Sequence, residues 1–157
     1  MTRLTVPVPL RWADLDAYGH VNNVELLRLL EEARIAAFWR HPGEVANPWP
    51  TAILDAGPGS ETHTVVASTQ IEYLLPLGYQ REPVVVEMWL GRIGGASLDI
   101  CYQVTGERDG DRVVYVQART SLVLVDAATG RPRRINQDQR AVWEPIIEDD
   151  LVFRHRR

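Results

Sequence analysis

The spacing of apolar residues changes once along the chain, from a helical period to an alternating one. Between Asn23 and Arg40 the apolar side chains recur every three or four positions. Leu27, Leu30, Ala33, Ala37 and Phe38 form one stripe, and Leu26, Leu29 and Trp39 widen it. So broad an apolar sector predicts a helix buried on most sides. Asn22 is placed to cap it, and Glu25, three residues on, completes a capping-box pattern. Glu25, Arg28 and Glu32 form the polar sector, with Glu31 and Arg34 nearby. Ion pairs at such spacings are worth only about 0.2–0.5 kcal/mol each.

From Glu61 onward the pattern is that of strands. Val65 to Leu75, Val84 to Ile93, Ala96 to Thr105 and Arg112 to Val125 are rich in Val, Ile, Leu, Tyr and Thr. Leu98, Ile100, Tyr102 and Val104 alternate with Ser97, Asp99, Cys101 and Gln103, which predicts a strand with one buried face. Gly94-Gly95 and Asp109-Gly110 are hairpin signals, so the last three strands should form an antiparallel meander. Thr5 to Arg11 is short and apolar, and Pro7 and Pro9 restrict it to an edge or an irregular strand. His41 to Ser60, rich in Gly and Pro, reads as a long loop. Gln137 to Trp143 has the pattern of a short helix, and the charged residues beyond Pro145 suggest a frayed end. One helix with an antiparallel sheet is an α+β architecture, with residues 1–130 as one domain and 131–157 as a C-terminal extension.

Composition narrows the function. A chain of 157 residues can bury a substantial core. Its net charge of −4 gives no sign of a nucleic-acid or membrane-surface partner. All 17 basic residues are arginine, so no lysine is available for Schiff-base chemistry. Cys101 is the only cysteine, which leaves no intrachain disulfide. The first residues lack the apolar run of a signal peptide, and the cytoplasm is the default expectation.

The chemistry concentrates between Asp14 and Asn23, read Asp-Leu-Asp-Ala-Tyr-Gly-His-Val-Asn-Asn. Two carboxylates, a glycine turn, an imidazole and two amides stand just ahead of the helix. The first amides of a helix lack partners and its dipole favours negative charge there, so a carboxylate beside them suits attack on an acyl carbonyl. This stretch resembles the signature of hotdog-fold thioesterases of the 4-hydroxybenzoyl-CoA thioesterase type, Asp-x-Asp-x-x-Gly-His-Val-Asn-Asn. Arg11 to Asp16 also resembles plant acyl-ACP thioesterases, and Tyr73-Leu74-Leu75-Pro76-Leu77 resembles the family's second strand.

The resemblance implies a hotdog fold, a curved antiparallel sheet wrapped around one long central helix. It implies hydrolysis of an acyl thioester, acyl-CoA or acyl-ACP, by a homodimer or homotetramer whose subunits meet at the thioester. Asp16 is the expected nucleophile or general base, the Asn23 N–H an oxyanion donor, and His20 an orienting group. Asp14, expected to support the loop by hydrogen bonding, and Tyr18, Gly19, Val21 and Asn22 are expected to shape the substrate site. Tyr18 stands where the plant enzymes often have Asn, and Leu26 where bacterial relatives often have Tyr, so the acyl pocket has its own walls. No cofactor is expected, since CoA would be part of the substrate. Arg131, Arg133 and Arg134 are candidates for its phosphates.

Other chemistry fits less well. Asp14, Asp16 and His20 form a mixed set without a second histidine, which argues against a metal site. There is no Gly-x-Ser-x-Gly elbow for a serine hydrolase. The two rival functions are hydration or dehydration of an enoyl-thioester on the same fold, which Asp16 and His20 fit poorly at a spacing of four, and a non-catalytic acyl-thioester-binding module.

Overall fold

The computed structural model describes residues 3–41, 43 and 48–154. It contains strands β1 (Leu4–Val8), β2 (Thr62–Tyr73), β3 (Val84–Ile93), β4 (Ser97–Arg108) and β5 (Asp111–Asp126), with helices α1 (Asn23–Phe38) and α2 (Gln137–Trp143). The strands form one sheet in the order β1-β3-β4-β5-β2, and every neighbouring pair is antiparallel. β3, β4 and β5 form the meander that the two hairpin signals predicted. β1 lies at one edge, where Pro7 can be tolerated. β2, separated from β5 by β3 and β4 in sequence, forms the other edge.

One face of α1 packs on the sheet. Leu26, Leu29, Leu30, Ala33, Ala37 and Phe38 join Val86, Met88, Leu90, Leu98, Ile100, Tyr102, Leu122 and Leu124 in a single core. The helix is not buried on most sides, because Leu27 and Ile35 are exposed. It also ends at Phe38 rather than Arg40. Trp39 is extended and the backbone turns out to pair with Leu54, through Leu54 N to Phe38 O at 3.0 Å and Arg40 N to Leu54 O at 2.7 Å. Asn22 caps the helix, but the capping box does not form. Asn22 accepts the Val24 N–H at 2.9 Å, while Glu25 faces Arg11 and Arg28 at 3.7 and 3.8 Å.

Residues 144–154 are not frayed. Trp143 is fully buried and donates to Thr51 O at 3.1 Å, which also pins the long loop after α1. The following residues form a strap across the outer face of the sheet. Arg3 holds Glu148 through Nε and Nη2, Trp89 donates to Asp149 O at 2.9 Å, and Arg119 pairs with Asp150 at 2.6 Å. Gly91 permits this approach, because a β-carbon there would meet Asp150 Oδ1 at 2.7 Å. The strap explains why Cys101, on the nominally polar face of β4, is fully buried. Burial pushes its thiol up to about 12, so it stays protonated and inert.

Candidate active site

The loop from Asp16 to His20 is a tight turn closed by pairing of Leu15 with Val21. Asp16 N donates to His20 O at 2.7 Å, and Gly19 N donates to Asp16 O at 3.1 Å. Gly19 makes the reversal at φ +79°, where a β-carbon would be strained. Val21 is buried and its N–H donates to Leu77 O at 2.7 Å, which docks the loop on the segment after β2. Asn22 N donates to Asp14 O at 2.8 Å, fixing where the helix begins.

The two aspartates of this loop have different surroundings. Asp14 is 1% exposed; its carboxylate accepts from Arg11 N at 2.8 Å, Nε at 3.2 Å and Nη2 at 2.9 Å. That carboxylate is committed to the loop and does not join Asp16 and His20. Asp16 is half-buried, and its Oδ1 accepts the N–H groups of Tyr18 at 2.8 Å and His20 at 3.1 Å. Among the described residues Oδ2 has no hydrogen-bond partner. One oxygen is therefore fixed by the backbone while the other remains available.

Asp16, His20, Val21 and Asn23 line a groove of about 300 Å³ together with Leu26, Tyr73, Leu74 and Leu77. The Asn23 N–H opens α1 and has no acceptor among the described residues, so the positive end of the helix is free beside the Asp16 carboxylate. Tyr73 was not among the expected site residues. Its hydroxyl donates to Asn23 O at 3.0 Å, clamping the first turn, and burial raises its pKa. It lies fifty positions from Asn23 in sequence, and no local pattern links the two. Tyr18 points to solvent. Among the described residues no three His, Cys, Asp or Glu side chains are grouped to hold a metal ion.

The three arginines lie elsewhere. Arg133 donates to Glu61 O at 3.2 Å and lines a cavity with Thr62 and Thr64, at the opposite end of β2 from Tyr73. Twelve residues of strand separate these ends by roughly 35 Å. Arg131 and Arg134 are exposed. Within one chain, none of the three joins the Asp16 groove.

A helix laid on an antiparallel sheet, with the Asp16 carboxylate and the open N-terminus of that helix lining one groove, is the frame of the site. The model of the thioesterase-like superfamily matches residues 10–143, and the chain belongs to that family. Among solved structures it is similar to the candidate thioesterase PA2801 of Pseudomonas aeruginosa, with 31% identity over 89% of this chain and 98% of that one and a TM-score of 0.71. It is also similar to a Thermus thermophilus thioesterase solved with coenzyme A and zinc, with 28% identity, 90% and 92% coverage and a TM-score of 0.66. A candidate acyl-CoA thioesterase from Xanthomonas campestris is 28% identical, with 84% and 98% coverage and a TM-score of 0.63. No functionally curated protein is significantly similar to the chain. No described helix is long and apolar enough to cross a membrane.

Proposed function

We propose that the protein is a cytoplasmic acyl-CoA thioesterase with Asp16 as its catalytic carboxylate. The observation that carries this reading is the asymmetry of Asp16, with Oδ1 fixed by two amides and Oδ2 free in a groove shared with the open end of α1. A thioester carbonyl there would meet the Asn23 N–H as negative charge develops on its oxygen. On the general-base route, Oδ2 takes a proton from water as the water oxygen bonds to the carbonyl carbon. The carbon–sulfur bond then breaks, and the departing thiolate regains the proton. On the covalent route, Oδ2 itself bonds to the carbonyl carbon as the carbon–sulfur bond breaks and the thiolate leaves; water then hydrolyses the resulting anhydride, and a proton from that water goes to the thiolate. Both routes give free acid and thiol and need no cofactor. His20, exposed at the rim, orients the carbonyl; Asp14, Gly19, Val21 and Asn22 hold the loop.

CoA is favoured over acyl carrier protein as the carrier, because a family member from Thermus was solved with coenzyme A. The domain proper is residues 1–130, a hotdog built around α1, and residues 131–157 are its C-terminal extension, of which the stretch around Glu148 to Asp150 lies over the outer face. The working unit is a homodimer. The outer edge of β2 pairs with no other strand among the described residues, and Val65 and Val66, on opposite faces of it, are 50% and 46% exposed. An open edge with apolar side chains is suited to pairing with a copy of itself. Symmetric antiparallel pairing of β2 about Ala67 and Ser68 would set Tyr73 beside Thr62 of the partner subunit. Arg133 would then serve the CoA phosphates of the other subunit's site, with Arg131 and Arg134 behind it.

Release of free thiol from short, long and aromatic acyl-CoAs tests the assignment. Wild-type protein should hydrolyse at least one class, and Asp16→Asn should lower kcat by at least ~100-fold while the protein stays folded. Turnover near the wild-type rate in a folded Asp16→Asn protein would overturn the mechanism. Binding without turnover would favour a binding module, and addition of water to an enoyl-CoA would favour a hydratase.

A further inference from the structure

The Arg34 side chain lies between α1 and the sheet, 9% exposed, and it is incompletely paired. Its Nη1 donates to the Tyr102 hydroxyl at 3.1 Å, and its buried Nε has no acceptor. Among the described residues no carboxylate stands within ion-pair distance of it. Tyr102 stands near Thr120 of the neighbouring strand, and the Thr120 and Thr69 hydroxyls are 3.3 Å apart. A line of polar groups thus crosses from under the helix, through β4 and β5, to the open edge strand. Arginine stays charged at any working pH, and a buried charge without a counter-ion is unfavourable.

Arg34 lines a groove of about 770 Å³ between α1 and β2, with Ile35, Trp39, Val66 and Leu122 as apolar walls and Glu31 among its polar lining residues. The groove lies farther along the same α1–β2 seam as the Asp16 site, and the two share no lining residue. Asn23 and Tyr73 line the first, while Arg34 and Val66 line the second. Along α1 the eleven positions from Asn23 to Arg34 span roughly 16 Å. We propose that this groove takes the acyl part of the substrate and that Arg34 binds a carboxylate at the acyl group's far end, so that the enzyme selects thioesters of dicarboxylic acids. With Nη1 committed to Tyr102 and Nε closed off from the groove, Nη2 is the donor left for a carboxylate. The apolar walls suit the methylene chain between the two ends. This inference rests on the thioesterase reading for its substrate, but the carboxylate site itself does not need turnover.

The test compares acyl-CoAs of equal chain length that end in either a methyl or a carboxylate. Wild-type protein should show kcat/KM at least tenfold higher for the carboxylate-ended series. Arg34→Met, which keeps the length and loses the charge, should reverse that order. Arg34→Lys should retain part of the preference. If either variant fails to fold, wild-type kinetics alone decide, because equal or methyl-favouring kcat/KM overturns the proposal. If no thioester is hydrolysed, calorimetry with free mono- and dicarboxylic acids separates the two readings. Tighter binding of the dicarboxylic acid, lost in Arg34→Met, upholds the site without the thioesterase activity. Equal binding of both acids sinks it. If Arg34→Met shifts the monomer–dimer balance and leaves the substrate order unchanged, the guanidinium serves the subunit contact and the proposal falls.

Discussion

Asp14 and Asp16 are two residues apart in one motif, and the fold gives them separate work. Asp14 is closed off from solvent and takes three hydrogen bonds from Arg11, so its charge holds the loop in place. Asp16 keeps one oxygen free. The corresponding asparagine variants should therefore rank in opposite orders. Asp14→Asn should lower Tm more than Asp16→Asn does, because it weakens a buried acceptor that three donors depend on. Asp16→Asn should lower kcat more. Thermal unfolding and steady-state kinetics on both variants check this, and one common ranking in the two measurements would contradict the division. The sequence identified the pair as candidates through their motif. The resemblance assigned the chemistry to Asp16 and support of the loop to Asp14, but that Asp14 is shielded, and by Arg11, depends on where Arg11 lies in space. Arg34 was legible only as a helix charge; its burial depends on the turn of α1 that faces Tyr102.

Among the elements, α1 and the meander were largely legible because their cues are local. Apolar period, capping residue and turn glycines all act within a few positions. The C-terminal strap was not, because a run of charges looks the same in sequence whether it is solvated or paired. Here Glu148 and Asp150 meet Arg3 and Arg119. Arg3 holds the Glu148 carboxyl below the ordinary glutamate range. The strap covers Cys101, whose Sγ donates to Asp150 Oδ1 at 3.3 Å. Intact folded protein should therefore resist thiol reagents at pH 8, and a chain truncated before Glu148 should be labelled at Cys101. Labelling kinetics with a chromogenic disulfide decide the matter. Equal rates for the two proteins would mean that the strap does not shield the sheet.

For the whole molecule, the dimer and its shared site can be tested with mixed subunits. Asp16→Asn subunits and Arg133→Ala subunits should each be defective alone, the first in kcat and the second in KM. If each site combines Asp16 of one subunit with Arg133 of the other, a mixed dimer contains one site with both residues intact. Its KM should equal the wild-type value, with about half the wild-type kcat expected for one site of two. Light scattering supplies the companion measurement, since a monomer at micromolar concentration would remove the shared site altogether. By itself the sequence determined the type and order of elements, the family-like loop and the candidate carboxylate, because these follow from short-range periodicity, capping and motif. The tertiary structure alone decided that β2 closes the sheet edge beside β5, that Tyr73 clamps Asn23, that Arg34 is buried with an unpaired Nε, and that the charged tail lies on the sheet. Each of these joins residues dozens of positions apart, and such contacts arise only when the chain packs on itself.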